Sequence, residues 1–525
     1  MADTAAAKVV ETVTKGYAFT GQALELGALL VDGQPVTSAQ IRVPLGMLNR
    51  HGLVAGATGT GKTKTLQLMA EQLSAAGVPV FMADIKGDLS GISQPGQPSD
   101  KLTARTQSIG QNWEATGHPV EYLSLGGTGT GVPVRATVTS FGPVLLAKVL
   151  DLNETQTSSL SLVFHFADSA GLALLDLKDL RAVIQYLISD EGQADLQGLG
   201  GLSKATAGVI LRELIAFADQ GAEAFFGEPE FNTKDLLRTA PDGRGVITCL
   251  ELPAVQDKPA LFSTFLLWLL ADLFHDLPEA GDLDKPKLVF FFDEAHLLFK
   301  DASKAFVDQI TQTVRLIRSK AVGVFFVTQS PKDVEDDVLA QLGNRVQHAL
   351  RAYTPDDAKA LKAAVSTFPK SSYDLEELLT QLGIGEAVIT VLSETGAPTP
   401  VAWTRLRAPQ SLMGPAPADV MNATVQNSPL MAEYGTALDR ESAYERLQAK
   451  LAPPPTPAAP APAPSAPAPS RPVPAPPPRR PQKEEPSVVS EVVQSSAFKS
   501  FVRSAGTVLG REITRSLFGT ARRSR

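Results

Sequence analysis

The sequence predicts an α/β fold, with a parallel sheet covered on both faces by helices. Short apolar, β-rich runs recur at 52–55, 78–83, 120–125, 245–250, 288–292, 323–328 and 387–392. Stretches with helical periodicity separate them, and strands buried on both faces read as near-continuous apolar runs. A glycine-rich loop also follows the first run and opens a helix.

Taken in order, residues 1–45 form a lead-in segment and 46–410 the α/β domain. Within that domain, about 143–237 reads as a helical insertion, because no comparable β-rich run occurs there. Leu172 to Leu177 and Ala182 to Ile188 carry its apolar pattern. Residues 261–271 are the longest apolar run, too short for the ~20 residues a bilayer needs, and predict a buried core helix. Residues 306–320 form an amphipathic stretch before the 323–328 strand, and 411–450 a helical extension.

Proline then marks a boundary: 16 of the 39 fall between 453 and 486. A Pro/Ala-rich tract cannot bury enough apolar surface to offset its ordering entropy, so 451–486 is expected to be a disordered, extended linker. The tail, 487–525, carries a net +5, which leaves −13 for the rest of a chain whose net charge is −8. Phe498, Phe501, Val502, Leu509, Ile513 and Leu517 recur at helical spacing, so the tail predicts a basic amphipathic helix. Its expected contact is its own core or a sister subunit, a membrane surface, or nucleic acid.

Composition excludes several classes of function. With 43% hydrophobic and 20% charged residues the chain can bury a sizeable core. The one cysteine, Cys249, rules out a disulfide framework, and one Cys with six scattered His argues against zinc. Cys249 sits in an apolar run and reads as a small buried hydrophobe. The first sixteen residues have no apolar signal region, so the expected compartment is the reducing cytoplasm, with no transmembrane segment.

The sharpest chemical signal is Gly56-Ala57-Thr58-Gly59-Thr60-Gly61-Lys62-Thr63. Glycines let the backbone curl so that successive N–H groups point at a phosphate, at the positive end of the helix that follows. In that pattern Gly56, Thr58, Gly59, Thr60, Gly61, Lys62, Thr63 and Thr65 bind the nucleotide; Lys62 bridges phosphates and the Thr63 hydroxyl ligates Mg²⁺. The second signal is Asp293-Glu294 behind the apolar run 288–292. An acidic pair can simply cap a helix. Beside a phosphate loop, Asp293 is expected to hold the Mg²⁺ shell and Glu294 to polarise the attacking water. His296 is either a solvated first-turn residue or a contact of this site. Gln329, at the end of the 323–328 strand, is either a polar strand-end turn or, if that strand lies beside the loop strand, the expected sensor of the γ-phosphate. Arg315 and Arg318 precede it; either serves a helix face, or a neighbouring subunit's nucleotide in a ring.

Together these residues resemble the HerA–FtsK group of P-loop ATPases, and within it a bacterial HerA-like (YjgR-like) branch. His51 to Thr63, Val78 to Gly91, Phe292 to His296, Val327 to Pro331, Leu342 to Arg345 and Gly385 to Val388 carry the resemblance, over about residues 20–445. It implies a RecA-like ASCE core, ATP and Mg²⁺ at subunit interfaces, and a homo-oligomer, suggested to be a hexamer. It assigns catalysis to Glu294, Gln329 and Arg318, the last as a finger acting in trans, and it marks Asp84 and Asp88 without giving them a role. The function it implies is a helicase- or translocase-like motor that couples ATP hydrolysis to movement or remodelling of nucleic acid. The alternatives are an ATPase acting on protein partners or at the membrane surface, and a non-motor nucleotide switch.

Overall fold

A computed structural model describes residues 2–196, 198–281, 283–299 and 303–451. The expected linker from 452 onward and the basic tail lie outside the described residues. The strands are β1 (Ala23–Val31), β2 (Gln34–Pro44), β3 (Gly52–Ala55), β4 (Val80–Asp84), β5 (Val120–Leu125) and β6 (Val132–Val134). They continue with β7 (Ile247–Glu251), β8 (Leu288–Phe292), β9 (Val322–Thr328), β10 (Asn344–Gln347), β11 (Glu386–Thr390) and β12 (Ala402–Leu406). All join one sheet in the order β2-β1-β12-β11-β10-β3-β9-β8-β4-β7-β5-β6.

From β10 to β6 every neighbouring pair is parallel. This portion is the RecA-like core, and its central strands are buried because both faces of the sheet are covered. In β3, β4, β7, β8 and β9 every residue is buried. The expected parallel sheet is extended at one flank by antiparallel pairing of β11, β12, β1 and β2. Between β1 and β2 the cause is local. Asp32 and Gly33, both at positive φ, make a tight turn between β1 and β2, which only antiparallel neighbours can share.

Residues 1–45, expected as a lead-in, hold helix α1 (Ala2–Gly16) and this hairpin. Tyr17 ties them down, its hydroxyl donating to the Ile389 carbonyl at 3.1 Å and the Pro400 carbonyl at 2.9 Å.

Helix α2 (Lys62–Ala75) follows the glycine loop, and α3 (Asp100–Ser108) precedes β5. Between β6 and β7 lie α4 (Val138–Val149), α5 (Glu154–Ser169), α6 (Leu177–Leu187), α7 (Asp190–Asp195) and α8 (Lys204–Asp219). The run 172–177, read as part of this helical pattern, is loop as far as Asp176, because that side chain caps α6 by accepting from the Asp179 N–H. The apolar run 261–271 is inside α9 (Pro259–Asp276), buried from Leu261 to Leu270 as expected. No helix among the described residues is long and apolar enough to cross a membrane. Past β8 come α10 (His296–Phe299) and the amphipathic α11 (Lys304–Ile317), which leads into β9.

Candidate active site

Because β3, β9, β8 and β4 are adjacent and parallel, their carboxyl ends emerge on one edge of the sheet. The glycine loop leaves β3 there. Its path is fixed by backbone bonds: the Gly56 N–H donates to the Thr328 carbonyl at 3.2 Å and the Ala57 N–H to the Ala349 carbonyl at 2.8 Å. A Cβ at Gly56 would stand 2.4 Å from the Cβ of His348, so only glycine fits. Gly61 turns into α2 at φ 114°, a conformation that L side chains avoid. Thr58 and Gly59 form the exposed tip, whereas Thr60 and Thr65 are buried. The Thr65 hydroxyl lies 2.9 Å from His348 Nε2, which pins the helix start to the strand beside it.

Lys62 is buried at the base of the loop, its Nζ donating to the carbonyls of Gly56 at 2.7 Å and Ala57 at 3.2 Å. Burial lowers its pKa. Thr63 is half-buried in the first turn of α2.

At the end of β8, Asp293 is buried, and its Oδ1 accepts from the Glu294 N–H at 2.9 Å. Its Oδ2 has no hydrogen-bond partner. Burial, with the Glu294 charge second, pushes its carboxyl up to about 7. A buried carboxylate with an orphaned oxygen needs a cation to stay ionised near neutrality, so the residues present fit Mg²⁺.

Glu294 occupies left-handed backbone at φ 47°, unusual for a residue with a side chain. Its Oε2 lies 3.2 Å from His296 Nδ1 and 3.5 Å from Gln329 Nε2, and its Oε1 contacts Lys86. His296 first, and then Lys86, hold its carboxyl down at about 2. His296 is therefore a contact of this site. Gln329 follows β9, which pairs directly with the loop strand (Ala55 opposite Thr328), so the condition set for a sensor position is met. A cleft of about 390 Å³ opens here between Ala57, Thr58, His296, Gln329, Lys332 and Arg351. The larger cleft, about 1560 Å³ and bordered by Arg50, Lys285 and Lys287, lies away from these residues.

Arg318 is not brought to this cluster. It sits in the turn after α11 and before β9, near His51, whose imidazole is depressed to about 4 by burial first and then by the Arg318 and Arg50 charges. His51 immediately precedes β3, so Arg318 is at the opposite edge of the sheet, a strand length from its own phosphate loop.

Sequence reasoning missed Lys86 and left Asp84 without a role. Asp84 is fully buried and its two oxygens accept from the Gly87 N–H at 2.7 Å and the Leu89 N–H at 2.9 Å. It staples the turn that carries Lys86. Next to it in the sheet, Glu251 has an unpartnered Oε1; burial and the Asp84 charge push it up to about 9, so it keeps its proton while Asp84 accepts. The signal for Lys86 was the register: Ala83 pairs with Phe292, so the chain leaving β4 runs beside Glu294. A single sequence does not reveal which strands are neighbours.

Comparison with known proteins bears on the fold and the family. The chain is 20% identical over 377 residues to the DNA double-strand break repair helicase HerA of Saccharolobus solfataricus, covering 71% of this chain and 67% of that protein. To the protein of the same name from Sulfolobus acidocaldarius it is 21% identical over 356 residues, covering 67% and 64%. The chain thus spans about two thirds of the length of these curated relatives. The plasmid coupling protein TrwB, solved with a non-hydrolysable ATP analogue, shares the fold at a TM-score of 0.50 and 16% identity, over 76% of this chain and 98% of that one. A match to the family described as Helicase HerA-like C-terminal spans residues 30–525, nearly the whole sequence, and the chain belongs to that family.

Proposed function

We propose that this protein is an ATP-hydrolysing motor ATPase that couples turnover to translocation or remodelling of nucleic acid. The observation that carries the reading is the meeting of two motifs 230 residues apart: the Lys62 loop at the end of β3 and Asp293-Glu294 at the end of β8, separated only by β9 with Gln329 at its exit. The loop N–H groups and Lys62 would bind the β- and γ-phosphates. Thr63 and Asp293 would hold Mg²⁺, which supplies positive charge to the phosphate oxygens. Glu294 would orient and polarise the attacking water, and the contact between Gln329 and Glu294 would tie the sensor to the base.

Because Arg318 lies at the far edge of its own sheet, its proposed role as a finger requires a neighbouring subunit, which favours a ring-forming homo-oligomer, with six subunits as the family's suggestion. Nucleic acid as the substrate rests on the helicase names of the relatives. The cytoplasm as compartment rests on the single, buried Cys249. Peripheral membrane contact is proposed only for the basic tail.

The test is steady-state ATP turnover of the full chain beside Glu294→Gln and Lys62→Ala, with and without double-stranded DNA. Turnover that DNA raises several-fold, lost in Glu294→Gln with nucleotide still bound and lost in Lys62→Ala with binding, is the expected result. Turnover indifferent to DNA would move the substrate to protein partners. A fully active Lys62→Ala would overturn the site.

A further inference from the structure

The established chemistry of such a site uses Glu294 but leaves Lys86 without a task. Lys86 stands in the turn after β4, and three observations fix where it acts. First, β4 and β8 are parallel neighbours in register, Ala83 opposite Phe292, so their exits run side by side. Second, the turn is rigid: the buried Asp84 accepts from the N–H groups of Gly87 and Leu89, and Gly87 takes φ 75°. The Lys86 backbone is therefore held at one place beside Glu294, and only its four-carbon stem moves. Third, its Nζ contacts Glu294 Oε1.

The consequence is asymmetric. Glu294 has both oxygens engaged: Oε1 by the Lys86 ammonium and Oε2 by the Gln329 amide at 3.5 Å, with His296 Nδ1 3.2 Å from Oε2. A water aligned for attack needs one of those oxygens as its acceptor. The Glu294 side chain is 7% exposed, whereas that of Lys86 is 49% exposed. The base is thus shielded from any large partner, while the cation that occupies it is open to solvent. An incoming polyanion reaches Lys86 and not Glu294.

Resting on the motor reading above, we propose that Lys86 is a positioning residue that acts as a brake: its ammonium occupies Glu294 until a substrate phosphate backbone draws it away and frees that oxygen for the water. ATP turnover is in this way made conditional on substrate. The ammonium end of the pair is half-exposed, so Lys86 can exchange its carboxylate for a phosphate partner without leaving solvent.

The experiment compares Lys86→Met, Lys86→Arg and wild type as full-length protein. It reads kcat and KM for ATP, with and without double-stranded DNA, and the affinity for a non-hydrolysable ATP analogue. The expected result for Lys86→Met is DNA-free kcat raised about two- to fivefold, the scale of one ion pair with a half-exposed cation. Stimulation by DNA should shrink correspondingly, with KM and analogue affinity unchanged. Lys86→Arg, which keeps the cation, should restore the low DNA-free rate. A merely structural role would lower turnover or stability and would not raise kcat. DNA-free kcat of Lys86→Met at or below that of an active wild type overturns the brake. An inactive wild type overturns the motor reading itself and is told apart by that.

Discussion

Asp293 shows how one side chain's surroundings set its chemistry. Its carboxyl is buried, faces the Glu294 charge and leaves Oδ2 unpartnered, so it titrates near 7 rather than in the usual carboxylate range. Below that pH a proton occupies the oxygen that a cation would use. Mg²⁺-dependent nucleotide affinity should therefore weaken as pH falls through about 7, approaching tenfold per pH unit. Titrating a fluorescent ATP analogue with and without Mg²⁺ at several pH values measures this. Asp293→Asn should bind weakly with a flat profile; a slope equal to wild type would show that another group is responsible. Asp293, Lys62 and Thr63 were legible in sequence because local order alone places them: a strand, a turn, a helix. Lys86 was not, since its partner is 208 residues away and only strand adjacency joins them.

Among elements, α2 anchors the phosphate loop from its helix side, as the Thr328 and Ala349 carbonyls do from the sheet side. Polar residues on its buried face find partners in the 410–412 segment. Glu71 accepts from the N–H of Gln410 at 2.8 Å and of Ser411 at 2.9 Å, and Gln67 donates to the Leu412 carbonyl at 2.9 Å. Glu71→Ala would leave the buried Ser411 N–H and the part-buried Gln410 N–H without acceptors and should destabilise the chain by ~2–4 kcal/mol, read as a lower denaturation midpoint at unchanged slope. Glu71→Gln, which keeps one acceptor oxygen, should lose less; equal losses would mean the latch is not the cause. The hairpin of β1 and β2 carries a related lesson. Asp32-Gly33 between apolar runs is a turn signal readable in the sequence, but the strand that β1 joins, β12, lies more than 370 residues away.

For the whole molecule, the buried apolar core extends from Val13 to Leu447, within the described residues. Removing 452–525 should accordingly leave the thermal transition of the remainder unchanged. A transition lowered by several degrees in that truncation would show that the tail packs on the core. What the sequence by itself determined was the set of local structures and their chemistry. Six of the seven apolar runs became parallel strands and 387–392 became the antiparallel β11; 261–271 became a buried helix, and the Lys62 loop and Asp293-Glu294 were each recognisable from a few consecutive residues. Tertiary structure alone decided which strand ends meet. It set β9 between the two motifs, turned one flank antiparallel, sent Arg318 to the opposite edge and brought Lys86 onto Glu294. The physical reason is that backbone propensity and periodicity act over a few residues, whereas strand order is chosen by burial summed over the whole sheet.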